Sequence, residues 1–293
     1  MLLADGFTWD LGDDVRQLFQ FHFMVNAFRA GTIVAVVAGL IGWYVVLRHQ
    51  TFVGHTLAIV AFPGAAGAVL VGIAAAWGYF GFCVAGALVI AGVPRARARG
   101  YSDESAVIGT VQAFALACGF LFVTLYQGLL DDVNSLLFGS FLGITDGQVR
   151  TLLWVSIGVV AALSLMARPL FFASVDPDVA AARGVPVRAL SAGFLVVLGL
   201  AVAEASQITG ALLVFALLVV PAATAQLITV RPVASAALSV GLALTATWLG
   251  LAIAYFTDYP IGFTVTSVAF AGYLAVRGAH MASARGIGMR MTR

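Results

Sequence analysis

Nine apolar stretches, separated by short polar breaks, constrain this chain more than any other feature it has. A hydrocarbon core about 30 Å thick needs roughly 20 helical residues to cross it. The stretches at 24–47, 56–76, 77–93, 105–127, 149–167, 189–203, 210–229, 233–256 and 261–276 approach that length. The fold class they predict is all-α, a polytopic membrane protein of about nine transmembrane helices. Composition agrees, because 62% of the residues are hydrophobic and only 10% charged, whereas a soluble globule carries roughly a quarter charged residues. The runs 189–203 and 210–229 are too long together for one crossing, and Glu204, Ser206 and Gln207 between them read as the reversal of a tight hairpin.

Arginine placement orients these spans, since short cytosolic loops collect positive charge. With the N-terminus outside and the C-terminus in the cytosol, 12 of the 15 arginines fall on the cytosolic side, and only Arg16, Arg29 and Arg150 lie at or near the outer one. Nine of the 13 acids fall outside, which raises the local cation concentration there and suits a docking partner of complementary charge. Residues 1–20 read as an acidic segment along the outer membrane surface rather than a cleaved leader, for no basic region precedes an apolar stretch. Residues 21–280 then form the membrane domain, and 281–293 a cytosolic tail.

One polar interruption, 168–188, spells a short helix with both ends marked. Asp176 is its N-cap, Pro177 occupies the first helical position, Asp178 lies in the first turn and Arg183 in the last, and Gly184 followed by Pro186 stops it. A helix so well delimited on the cytosolic side is built to touch a partner. Within the spans, Pro63 and Pro221 predict helix kinks, and glycines such as Gly64 and Gly67 allow helices to approach closely. Cys83 and Cys118 both sit in apolar runs and suggest no disulfide.

Several chemistries are excluded or left without support. The chain has no lysine and no phosphate-binding GxxxxGK[ST] loop, so the ATP chemistry of such loops is not its own. It has no GxSxG, HExxH or CxxC motif, so hydrolase, metalloprotease and redox readings lack a basis and the chain is not read as an enzyme. Charge in mid-span is nearly missing, which weakens a gradient-driven pump. Nothing points to nucleic acid.

With spans, orientation and cytosolic helix placed, GALLVFALLVVPAATAQLIT at 210–229 resembles the signature of the permease subunits of zinc and manganese ABC importers. VVLRHQTFVGHTLAIVAFPGAAG at 45–67, DESAVIG at 103–109, SLLFGSFLGIT at 135–145, DPDVAAARGVPV at 176–187 and FTDYPIG at 256–262 follow in the family's order. The resemblance implies the ABC importer permease fold and a homodimer, the second permease copy completing it within membrane lipid. It also implies an ATPase subunit on the cytosolic side and a metal-binding protein outside. The capped helix becomes the coupling helix, with Pro177, Asp178, Val179, Ala182, Arg183 and Gly184 as contacts to the ATPase. No tightly bound cofactor is expected; the metal is cargo, Zn²⁺ first and Mn²⁺ second.

The departures from the family pattern fall on the pathway. Family members place an Asp after the glycine of the second span and a His four residues later; here those positions are His55 and Ile59. His55 is then the candidate metal ligand, needing other donors because a filled zinc site takes about four. Glu204, an acid embedded in a long apolar run, is expected near the outer surface, lining an outer gate with Asp258. Loss of the paired ligands leaves a chelated metal or another small solute as alternative cargo, and a stand-alone gradient-driven transporter or a non-transporting scaffold as competing classes.

Overall fold

The computed structural model describes residues 11–92, 101–126, 143–257 and 259–291. They form helices α1 (Leu11–Gln20), α2 (His22–Leu47), α3 (Thr51–Leu70), α4 (Ala75–Gly92), α5 (Tyr101–Leu125), α6 (Asp146–Val175), α7 (Pro177–Ala182), α8 (Val187–Ile228), α9 (Pro232–Phe256) and α10 (Ile261–Met291). No strand occurs among the described residues, as the all-α expectation requires. Eight of the described helices are long and apolar enough to cross a bilayer, and the apolar helix Leu213–Ile228 is shorter. Large apolar side chains such as Trp77, Phe114, Trp154 and Leu165 stand exposed on these spans. Such surface is costly in water and at home against lipid.

The chain packs as two compact units. One comprises residues up to Trp43 together with those from Ala216 onward. Its helices approach through small residues: Ser239 Oγ donates to the Gly39 carbonyl at 2.8 Å, and Thr264 Oγ1 to the Gly250 carbonyl at 2.8 Å. Each bond satisfies a hydroxyl where water is absent and draws two backbones together.

The other unit runs from Tyr44 to Phe215. Here α3 packs on α4 and α5. A Cβ added at Gly64 would stand 2.3 Å from the Gly78 carbonyl oxygen, and one at Gly78 2.0 Å from that of Gly64. The α3–α4 crossing is therefore backbone against backbone, which glycine alone permits. Pro63 lies inside α3 and Pro221 inside α8, as the sequence placed them.

Several boundaries differ from the sequence reading: α3 starts and ends five to six residues earlier than expected, α10 runs on to Met291 past the expected end at 276, and two further differences bear on the site. The span expected to end at residue 167 continues as α6 to Val175, straight through Arg168 and Pro169. The interruption expected at 168–188 thus contributes only its second part as a separate element. Its arginine marks the end of the apolar run, while the helical path is carried on by packing of Leu170 and Ala173, both buried.

The second difference concerns the long apolar run. Residues 204–207 are helical, and the path breaks instead at Gly210, with φ 72° and ψ 160°, a conformation open essentially to glycine alone. Gly199 lies against the Cys83 carbonyl, and the Cys83 thiol reaches the Leu57 carbonyl at 3.6 Å. Phe215 meets His55, two residues from Leu57, with ring centroids 4.8 Å apart. The helical path is thus interrupted between Gly199, which packs on α4, and Phe215, which packs on His55 of α3. The polar residues misled the sequence reading because Glu204 is buried against Ser156, whereas the helical path breaks at a glycine.

Candidate functional site

The short helix α7 is built from both ends. Asp176 closes α6 and caps α7, its side chain accepting from the Val179 amide at 3.0 Å with Pro177 at the first helical position. At the other end the Val185 amide donates to the Ala180 carbonyl and the Gly184 amide to the Ala181 carbonyl, both at 3.0 Å. With Gly184 at φ +83°, these two bonds form a Schellman termination. Arg183 is the C-cap residue, one position beyond the last turn in which the sequence reading put it. Ala180 is fully buried and fastens the helix to its own unit. Pro177, Asp178, Val179, Ala182, Arg183 and Gly184 are all exposed. One buried alanine among six exposed residues leaves a presented face.

Around α7 the neighbouring elements are tied by Arg48, just past the end of α2. Its Nη1 donates to Ser174 Oγ in the last turn of α6 at 3.0 Å, and its Nη2 to Ser191 Oγ in the first turns of α8 at 2.7 Å. Its Nε reaches Gln50 Oε1 at 3.2 Å, and the guanidinium lies over the Phe194 ring, 5.4 Å from the centroid. Tyr44 adds a bond from its hydroxyl to the Ala167 carbonyl at 3.1 Å. Sequence reasoning counted Arg48 only as a positive charge. Its signal was the pair of serines, Ser174 and Ser191, flanking the capped helix at the ends of apolar runs.

His55 stands on α3, half-buried, five residues past Gln50. Its ring meets Phe215 edge-on, and its Nδ1 is buried with no hydrogen-bond partner. With no hydrogen bond at Nδ1, this ring nitrogen is not committed to a structural partner. The adjacent Thr56 is instead satisfied, donating to Gln112 Oε1 of α5 at 3.0 Å. Ile59, one turn on, adds no donor.

Glu204 lies inside α8, 1% exposed. Its Oε1 accepts a short hydrogen bond from Ser156 Oγ of α6, and its Oε2 has no partner. The carboxyl is thus sealed within the helix packing, not set at a reversal facing the outer surface. Ser206, also buried, has an unbonded Oγ, and Thr209 Oγ1 turns back to the Ala205 carbonyl at 2.9 Å. Asp258, expected to share a gate with Glu204, lies outside the described residues. Among the described residues no three His, Cys, Asp or Glu side chains converge as a metal site would require. Neither His55 nor Glu204 therefore belongs to a three-ligand cage among the described residues.

An all-helical membrane chain with a presented, doubly capped helix between two spans has the form of a transporter's membrane subunit. The model of the ABC 3 transport family matches residues 20–278, and the chain belongs to that family. The family is the one its ordered motifs resemble, and the protein is a multi-pass membrane protein.

Among curated proteins the chain is 31% identical to the uncharacterized membrane protein slr2045 of Synechocystis, over 88% of this chain and 91% of that one. It is 30% identical to the manganese transport system membrane protein MntC of Halalkalibacterium halodurans, covering 73% of each. It is also 29% identical to the manganese import system permease protein ScaB of Streptococcus parasanguinis, over 86% of this chain and 90% of the relative. Of solved structures, PsaBC from Streptococcus pneumoniae in complex with Fab superposes with a TM-score of 0.80 at 27% identity, covering 90% of this chain and 94% of that one. A putative metal-chelate type ABC transporter in an inward-facing conformation shares the fold, with a TM-score of 0.61 at 18% identity, covering 93% of this chain and 91% of that one.

Proposed function

We propose that this chain is the membrane permease of an ATP-driven importer for a divalent transition metal. Two copies form the translocation unit, an ATPase docks on α7 in the cytosol, and an external binding protein delivers the cargo. The N-terminus lies outside and the C-terminus inside, as the arginine distribution requires. The exposed face of α7 carries the reading: a six-residue helix held by caps at both ends and by one buried alanine presents Pro177, Asp178, Val179, Ala182, Arg183 and Gly184 to a partner. ATP-driven closure of the ATPases displaces this helix, and the displacement switches the dimer between outward-open and inward-open states.

Mn²⁺ leads Zn²⁺ in this proposal, reversing the order drawn from the motifs. The relatives with a stated cargo carry manganese in their names. Carboxylate, hydroxyl and water oxygens suit Mn²⁺, and a dedicated zinc site takes several imidazole or thiolate ligands. A single His55 with unbonded Nδ1 makes a passing contact, not a resting cage, so the binding protein sets selectivity and the permease conducts.

The test is ATP-dependent uptake of radioactive Mn²⁺ and Zn²⁺ into vesicles holding this chain with its ATPase and binding protein. Manganese uptake that needs all three components, and that falls at least ten-fold in His55→Ala with ATP hydrolysis intact, is the expected result. Uptake that proceeds without the ATPase would overturn the proposal in favour of a gradient-driven carrier.

A further inference from the structure

The sequence makes the turn between α2 and α3 costly. His49 has φ 55°, and it is the one non-glycine with positive φ among the described residues. The Gln50 amide donates to the Val45 carbonyl at 2.9 Å and the His49 amide to that of Val46 at 3.1 Å, so α2 ends in a Schellman turn without the usual glycine. Gln50 precedes α3 yet gives that helix no side-chain cap, because its Oε1 receives Arg48 Nε. Gln50 and Ser191 are both buried. A strained turn whose capping side chain is committed elsewhere persists only where the surrounding bonds hold it.

Those bonds come from both legs of α7. Ser174 lies two residues before the Asp176 cap, and Ser191 seven residues after Gly184. One planar guanidinium donates to both through separate nitrogens, reaches Gln50 with a third, and is fixed in plane by Phe194. Arginine suits this because its donors form a rigid fork, while lysine would act as a single point charge. Beyond the turn, α3 leads within five residues to His55.

We propose that Arg48 is the positioning residue that locks the α2–α3 turn to the two legs of the coupling helix, so that a displacement of α7 is delivered to α3 and its His55. The proposal rests on the import reading and deepens it by naming the link between the ATPase contact and the pathway. In this proposal Arg48 acts through its bonds to Ser174, Ser191 and Gln50. It converts two separate connections into one block.

The experiment places spin labels at Phe52→Cys in α3 and Arg188→Cys at the start of α8, both exposed, in the complete complex with ATPase and binding protein. The distance between labels is recorded with and without nucleotide, in the native background, in Arg48→Ala and in Ser174→Ala/Ser191→Ala. The serine pair keeps the arginine and its ring contact, so it stays informative should Arg48→Ala fail to fold. Expected is a label separation that nucleotide leaves unchanged in the native complex and alters by several ångströms in both variants. Transport per ATP hydrolysed should fall at least ten-fold in both, with Arg48→Lys intermediate and assembly retained. Native labels that move apart with nucleotide would overturn the lock, as would variants with an unaltered transport-to-hydrolysis ratio. Failure of the import reading is distinguishable, because it appears as absent uptake in the native complex while the label distances still report on the lock.

Discussion

Gly184→Ala isolates one physical term at helix α7. Gly184 ends α7 at φ +83°, and a Cβ placed there meets nothing within 4 Å. The substitution therefore adds no clash with any neighbour and removes no packing. What remains is the backbone cost of holding an L-residue left-handed, about 1–2 kcal/mol, against an α7 termination of two amide bonds. With RT near 0.59 kcal/mol, the ordered form of the turn loses about 5- to 30-fold in population relative to its opened form.

Hydrogen exchange at the amides of Gly184 and Val185, which donate to Ala181 and Ala180, reads this directly. Position 184 remains an amide donor in the alanine variant. Exchange there should accelerate by about 5- to 30-fold, and affinity for the proposed ATPase partner should fall by no more than the same factor. Gly241→Ala is the control: that methyl also enters open space, but on a helix with ordinary φ, where alanine is the better residue. Unchanged exchange at 184–185, or an equal effect of Gly241→Ala on those amides, would refute the reasoning.

Two further outcomes follow from packing. Gly78→Ala would set a Cβ 2.0 Å from the Gly64 carbonyl oxygen, forcing α3 and α4 apart at a cost of about 1–3 kcal/mol. The thermal midpoint of the purified protein should drop, while Gly81→Ala, three residues on and open, should not; equal midpoints would remove the close crossing from the account. Ser156→Ala would strip Glu204 of its hydrogen bond, its Oε2 already lacking a partner, and should destabilise the protein by about 1–3 kcal/mol. A Ser156→Ala/Glu204→Leu double variant should recover most of that loss in a thermal-unfolding cycle, and a Ser156→Ala variant as stable as the native chain would contradict the pairing.

The sequence by itself determined the class of structure and the ends of helix α7. Apolar runs of about 20 residues leave a chain no soluble solution, because only a helix satisfies its own backbone in lipid. Asp176, Pro177 and Gly184 act within a few residues of themselves, so their roles were legible without knowing the fold. Tertiary structure decided what depends on distant neighbours. Glu204 looked like a surface turn signal until Ser156, 48 residues earlier in the chain, came to meet it. The break in the helix fell on Gly210, three residues past the polar cluster that marked the sequence. Arg48 was one arginine among fifteen until folding brought Ser174 and Ser191 to opposite nitrogens of its guanidinium. Local capping is written in adjacent residues, but a hydrogen bond between spans needs two partners whose closeness only the packed helices create.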